Sequence, residues 1–119
     1  DDKFIRKIIF RDVGHAHFLA NNGFYKPAVI LAGSVIEELL RQYLNYKRIT
    51  PSNYTFDGYI TTCKENSLLK SAIHSLTNSV RHFRNIVHLA KEESSKYTIS
   101  KATAKGAVSS IFTIANDFD

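Results

Sequence analysis

The stretch from Leu68 to Ala90 contains no Pro and no Gly, and its apolar residues keep a fixed rhythm. Leu69, Ile73, Leu76, Val80, Phe83, Val87 and Ala90 recur at alternating spacings of four and three. That rhythm is an apolar stripe on a helix, and a helix with one apolar stripe must bury it against other elements. A second stripe runs beside the first. At about 100° per residue, His74, Arg81 and His88 fall within roughly 40° of one another. Asn78, Arg84 and Asn85 flank them. The plain alternative is a solvated polar face. Such a face is usually rich in Glu and Lys, yet neither occurs between Leu76 and Ala90. Arg, Asn and His instead suit phosphate and nucleotide contacts. Arg is a planar donor fork, Asn both donates and accepts, and His carries a proton near neutral pH.

The rest of the chain reads as helices that complete a bundle. Asp1 to Ala20 has a helical apolar face in Ile5, Ile8, Ile9, Val13, Ala16 and Leu19, and Asn21-Asn22-Gly23 is a stop signal. A second helix starts near Lys26-Pro27, Pro being favoured in a first turn, and runs to about Tyr46. From Ala28 to Ile36 it is apolar nearly all round, which marks a buried central helix. Gly33 and Ser34 would let another helix approach closely. Glu37 and Glu38 lie inside this apolar frame. A buried acid there needs a partner, and Arg is the cheapest one. The alternative is that both stay half-exposed and solvated.

Ile49 to Thr55 reads as a loop, and Phe56 to Glu65 as a short helix capped by Thr55. Asn66-Ser67 is expected to break that helix and cap the long one. Glu92 to Lys96 reads as a polar loop, and the last helix starts near Thr98 or Ser100. The sequence therefore predicts an all-α fold: an antiparallel up-and-down bundle of four long helices plus a short one, in a single domain over residues 1–119.

Composition narrows the function classes. A length of 119 residues supports one small core. A net charge of +5 tolerates a polyanionic partner without demanding one. The one cysteine, Cys63, excludes an internal disulfide and a Cys-based zinc site, fits a reducing, cytoplasmic compartment, and reads as a small, partly buried side chain. No run is long enough to span a bilayer, so no membrane partner is expected. No Gly-rich phosphate loop, His-Glu-x-x-His or carboxylate cluster appears, so neither a cofactor nor a metal is expected. The chain has no Met, even at position 1, and reads as a piece of a longer protein.

Val80-Arg81-His82-Phe83-Arg84-Asn85-Ile86-Val87-His88 resembles the Arg-x(4–6)-His motif of HEPN domains (higher eukaryotes and prokaryotes nucleotide-binding). Six residues separate Arg81 from His88 and three separate Arg84 from it, so Arg81 is the better match for the motif Arg. Many such domains carry Arg-Asn just before the motif His, as Arg84-Asn85 does here. Leu89 stands where a Pro often follows. The segment from Gly23 to Arg41 is similar to the HEPN helix that carries an internal Glu, and Lys101-Ala102-Thr103-Ala104 fits the terminal helix.

The resemblance implies a helical bundle that dimerises. Many catalytic members are metal-independent ribonucleases of toxin–antitoxin, abortive-infection or phage-defence systems, and others are inactive binding or scaffolding modules. On this reading Arg81 and His88 are the catalytic pair. Arg81 grips the phosphate, and His88 serves as base or acid. Glu37 holds Arg81 in place, Asn85 orients the His or the scissile phosphate, and Arg84 adds positive charge for RNA. The implied partners are a second copy of the chain, RNA or nucleotide, and an antitoxin or other domains of a parent protein. Two other readings compete. One is a non-catalytic HEPN module for nucleotide or RNA binding or dimerisation. The other is a protein-interaction domain whose Arg and His form buried salt bridges with Glu37, in which case Arg81→Ala would melt the fold.

Overall fold

The structure is a computed structural model that describes residues 2–89 and 99–118, with side chains placed over 6–85 and 99–118. Five helices follow one another: α1 (Asp2–Asn21), α2 (Tyr25–Tyr46), α3 (Phe56–Glu65), α4 (Ser71–Leu89) and α5 (Lys101–Asn116). No strand occurs among the described residues. This is the helical bundle that the apolar periodicities call for.

Helix α2 is its centre and packs against α1, α3, α4 and α5. The all-round apolar run from Ala28 to Ile36 causes this, because a helix without a polar side must be covered on every side. Ala28, Val29, Ala32, Val35 and Ile36 are buried, as are Leu40 and Leu44 further along. Each fully buried side chain of the Ile36 or Leu40 size contributes about 1.5–3 kcal/mol over its exposed state. The apolar stripe of α4 docks onto this core through Val80, Leu69 just before the helix, and half-buried Ile73, Leu76 and Phe83. Thr77 is also fully buried in the stripe, its Oγ1 donating to the Ile73 carbonyl at 2.8 Å. Val87 and Ala90 of the expected stripe, and the expected polar loop at Glu92 to Lys96, lie outside the residues with described side chains.

Helix ends follow local chemistry in most places. Thr55 caps α3, accepting from the Gly58 N–H at 3.0 Å, and Ser100 caps α5, accepting from Thr103 N at 3.1 Å. The start of α4 departs from expectation. The helix begins at Ser71 rather than at Leu68, and Ser67 does not cap it. Ser67 instead closes the end of α3 in a left-handed conformation, φ 53°. The N-terminus of α4 receives Asp117 from beyond the end of α5: its Oδ2 accepts from Lys70 N at 3.2 Å, and Lys70 Nζ lies 3.6 Å from Oδ1. A carboxylate suits the positive end of a helix dipole.

Candidate functional site

The polar stripe of α4 divides between two neighbours. Arg84 and Asn85 face α2, where they line a groove of about 230 Å³ with Ile30 and Ser34. His74 and Asn78 face α3, lining a second groove with Ile60 and Lys64. There Asn78 Nδ2 lies 3.3 Å from His74 Nδ1. Arg81 also turns to α3. The stripe is a face between elements, which explains its lack of Glu and Lys.

Arg84 is held on three sides. Its Nη1 donates to Glu37 Oε1 at 2.6 Å. Its guanidinium sits 5.0 Å from the centre of the Phe56 ring, a cation–π distance. Its aliphatic stem lies on Gly33, where an added Cβ would come within 2.6 Å of Arg84 Cδ. The expectation that Gly33 admits a neighbouring helix is met, with the arginine stem as the part admitted. Both partners of the ion pair keep only a quarter to a third of their side-chain surface exposed. The pair therefore lies between a rim contact and a buried bridge.

Glu37 was expected to hold Arg81, and here the geometry corrects the sequence reading: Glu37 takes Arg84. The reason is α3, whose first turn lies beside α4 and offers Asp57. Arg81 Nη1 lies 2.7 Å from Asp57 Oδ1, and the Asp57 side chain is 67% exposed. Arg81 pays for this with a buried Nε that has no hydrogen-bond partner. Such an orphaned donor costs about 1–3 kcal/mol. Arg81 is thus weakly held, whereas Arg84 is firmly held.

Glu38 is paired through its own helix. Arg41 donates to it twice, at 3.0 and 2.6 Å, and Gln42 once, at 2.9 Å. The Arg41 hydrogen bonds hold its carboxyl below the ordinary value against the opposing effect of burial. His88 lies on α4 one turn past Arg84, and its side chain is outside the described residues. His82, set aside from the site, is exposed. Cys63 is buried, which pushes its thiol up to about 11 and leaves it a packing residue.

Sequence reasoning missed Phe56 and Asp57. The signal was present, since both sit in the first turn of a helix that Thr55 announces, but nothing local says which arginine each would meet. Among the described residues no three His, Cys, Asp or Glu side chains gather to hold a metal ion, and no helix is long and apolar enough to cross a membrane. Comparison with family models, with curated proteins and with solved structures gave no match to the chain.

Proposed function

We propose that the chain is a HEPN-like domain that cleaves RNA without metal, as a dimer, through Arg81, Arg84, Asn85 and His88. The observation that carries this reading is the contrast between two arginines on one helix. Arg84 is immobilised by Glu37, Phe56 and Gly33 and fixes the geometry beside Asn85. Arg81 has a largely exposed partner and an unsatisfied Nε. Moving Arg81 onto a phosphate would forfeit an exposed ion pair worth about 0–1 kcal/mol and release the orphaned donor.

The chemistry follows from RNA itself. A base removes the 2′-hydroxyl proton, the 2′-oxygen attacks phosphorus, the bond to the 5′-oxygen breaks, and an acid returns a proton to that oxygen. The products are a 2′,3′-cyclic phosphate and a 5′-hydroxyl. An imidazole can serve as base or acid but not as both at one instant. A dimer that brings two His88 together would supply both roles. Arg81 would grip the charge on phosphorus in bidentate fashion.

The test is incubation of a mixed RNA pool with EDTA present, wild type beside His88→Ala, with melting curves for both. Cleavage by the wild type alone, at equal stability, supports the reading. Arg81→Ala should also abolish cutting while changing stability by less than about 1 kcal/mol.

A second reading has its own support. In the free protein both guanidiniums are committed to carboxylates, Arg84 to Glu37 and Arg81 to Asp57, as suits a non-catalytic module that binds nucleotide or dimerises a larger protein. A confirmed dimer that cuts no RNA would favour it. The salt-bridge reading of a protein-interaction domain shifts to new residues: loss of stability belongs to Arg84→Ala and not to Arg81→Ala.

A further inference from the structure

A cleft of about 340 Å³ lies at the C-terminal end of α2, between that end and the loop leading to α3. It shares no lining residue with the Arg84–Asn85 groove. Its walls include two guanidiniums, Arg41 and Arg48, two phenol rings, Tyr54 and Tyr59, and the amide of Asn45. We propose that this cleft binds a nucleoside phosphate, with Arg48 and Arg41 on the phosphate, Tyr54 stacked on the base, and Asn45 on a base edge. The proposal stands whether or not the chain cuts RNA.

Four observations carry it. The first is charge. Among the described residues Arg48 has no ion-pair partner, so it brings an uncommitted cation to the cleft. Arg41 has Nε and one Nη2 hydrogen committed to Glu38, which orients the guanidinium and leaves three of its five donors. The second is aromatic surface. Tyr54 is 75% exposed, whereas Tyr59 is 4% exposed and forms a wall. An exposed ring beside an uncommitted arginine is the combination that stacks a base while holding its phosphate.

The third is rigidity. The loop carrying Tyr54 is fastened to α3 on both sides of the ring. Ser52 N donates to Thr62 Oγ1 at 2.8 Å, Thr55 caps the helix, and Asn53 lies so close to Gly58 that no Cβ would fit there. A wall fixed in advance lowers the ordering cost of binding. The fourth is backbone cost. Arg48 sits at φ 58°, a left-handed conformation that glycine adopts freely and arginine does not. An arginine kept where glycine would be less strained invites a functional reason. The volume also lies in the range of small-molecule sites, about 300–1,000 Å³.

One chemistry, a base with its phosphate, has two sources here: a free mononucleotide, or one unit of a single-stranded RNA. The chain has six Tyr and no Trp, so tyrosine fluorescence reports binding directly. Wild type is titrated with adenosine monophosphate, adenosine, inorganic phosphate and a six-nucleotide oligoadenylate. The monophosphate should bind saturably, and adenosine and phosphate alone should each bind at least about tenfold more weakly. Arg48→Gly and Tyr54→Ala should each weaken it about tenfold, and Arg48→Gly should keep or raise the melting temperature. Weakened binding in Arg48→Gly and Tyr54→Ala, neither of which lines the α4 groove, separates this cleft from the α4 site. Oligoadenylate binding well above the monophosphate, and lost with Arg48→Gly, assigns the cleft to an RNA strand, and equal binding assigns it to a free nucleotide. No saturable binding of either, or binding by Arg48→Gly and Tyr54→Ala at the wild-type level, overturns the proposal.

Discussion

Among the described residues three hold a left-handed backbone, and each ends a helix. Gly23 follows α1, Arg48 follows α2 and Ser67 follows α3, with φ of 85°, 58° and 53°. After Arg48 and Ser67 the closure is complete. Ile49 N donates to the Leu44 carbonyl and Arg48 N to that of Asn45, and Leu68 N and Ser67 N repeat the pattern on Cys63 and Lys64. This is the Schellman arrangement, in which the last carbonyls of a helix find donors and the left-handed position favours glycine. Ser67→Gly should therefore raise stability by about 0.5–1 kcal/mol, read as a shift in denaturant midpoint at unchanged m-value. Helical glycines give the converse contrast. An added Cβ meets nothing at Gly14 in α1 or Gly106 in α5, but meets the Arg84 stem at Gly33. Gly14→Ala and Gly106→Ala should each stabilise by about 0.5–1 kcal/mol, and Gly33→Ala should destabilise by about 1–3 kcal/mol. Gains at all three positions would mean that Arg84 does not lie across Gly33.

Helix starts show which parts of the fold were legible in the sequence. Thr55 and Ser100 are hydroxyl residues whose partners lie three residues on, so spacing alone reveals them. The start of α4 depends on Asp117, separated from Lys70 by 47 positions, and no local pattern announces it. The choice between Arg81 and Arg84 as partner of Glu37 was hidden for the same reason. The two arginines lie about 60° apart around one helix, and which of them meets α2 depends on where α3 wedges in. Periodicity places a residue on a face, and packing decides what that face meets. Asp117→Ala should accordingly cost about 1 kcal/mol, with faster amide exchange confined to the first turn of α4. Uniformly faster exchange across the bundle would instead make Asp117 part of the global core.

At the scale of the whole molecule, the bundle depends on a thiol staying neutral. Cys63 on α3 is fully buried in the core that joins the helices around α2. Burial raises its thiol from the ordinary 9.0 to about 11. The folded state therefore keeps this proton at pH values where the unfolded chain has lost it. A raised value in the folded state gives stability that is full below pH 9 and lost as pH climbs through about 11. At about 1.4 kcal/mol per pH unit, the loss is on the order of 2–3 kcal/mol once both states are ionised. Tyr59, also raised by burial, adds loss of the same sign. Cys63→Ala isolates the thiol, because it removes the titration and leaves Tyr59 in place. The variant should be less stable than wild type at pH 8, where a buried side chain has been shortened. The gap should narrow as pH rises from 9 to 11, since only the wild type has a thiol to ionise. A gap independent of pH would mean that Cys63 is open to solvent and that α3 does not close over the core.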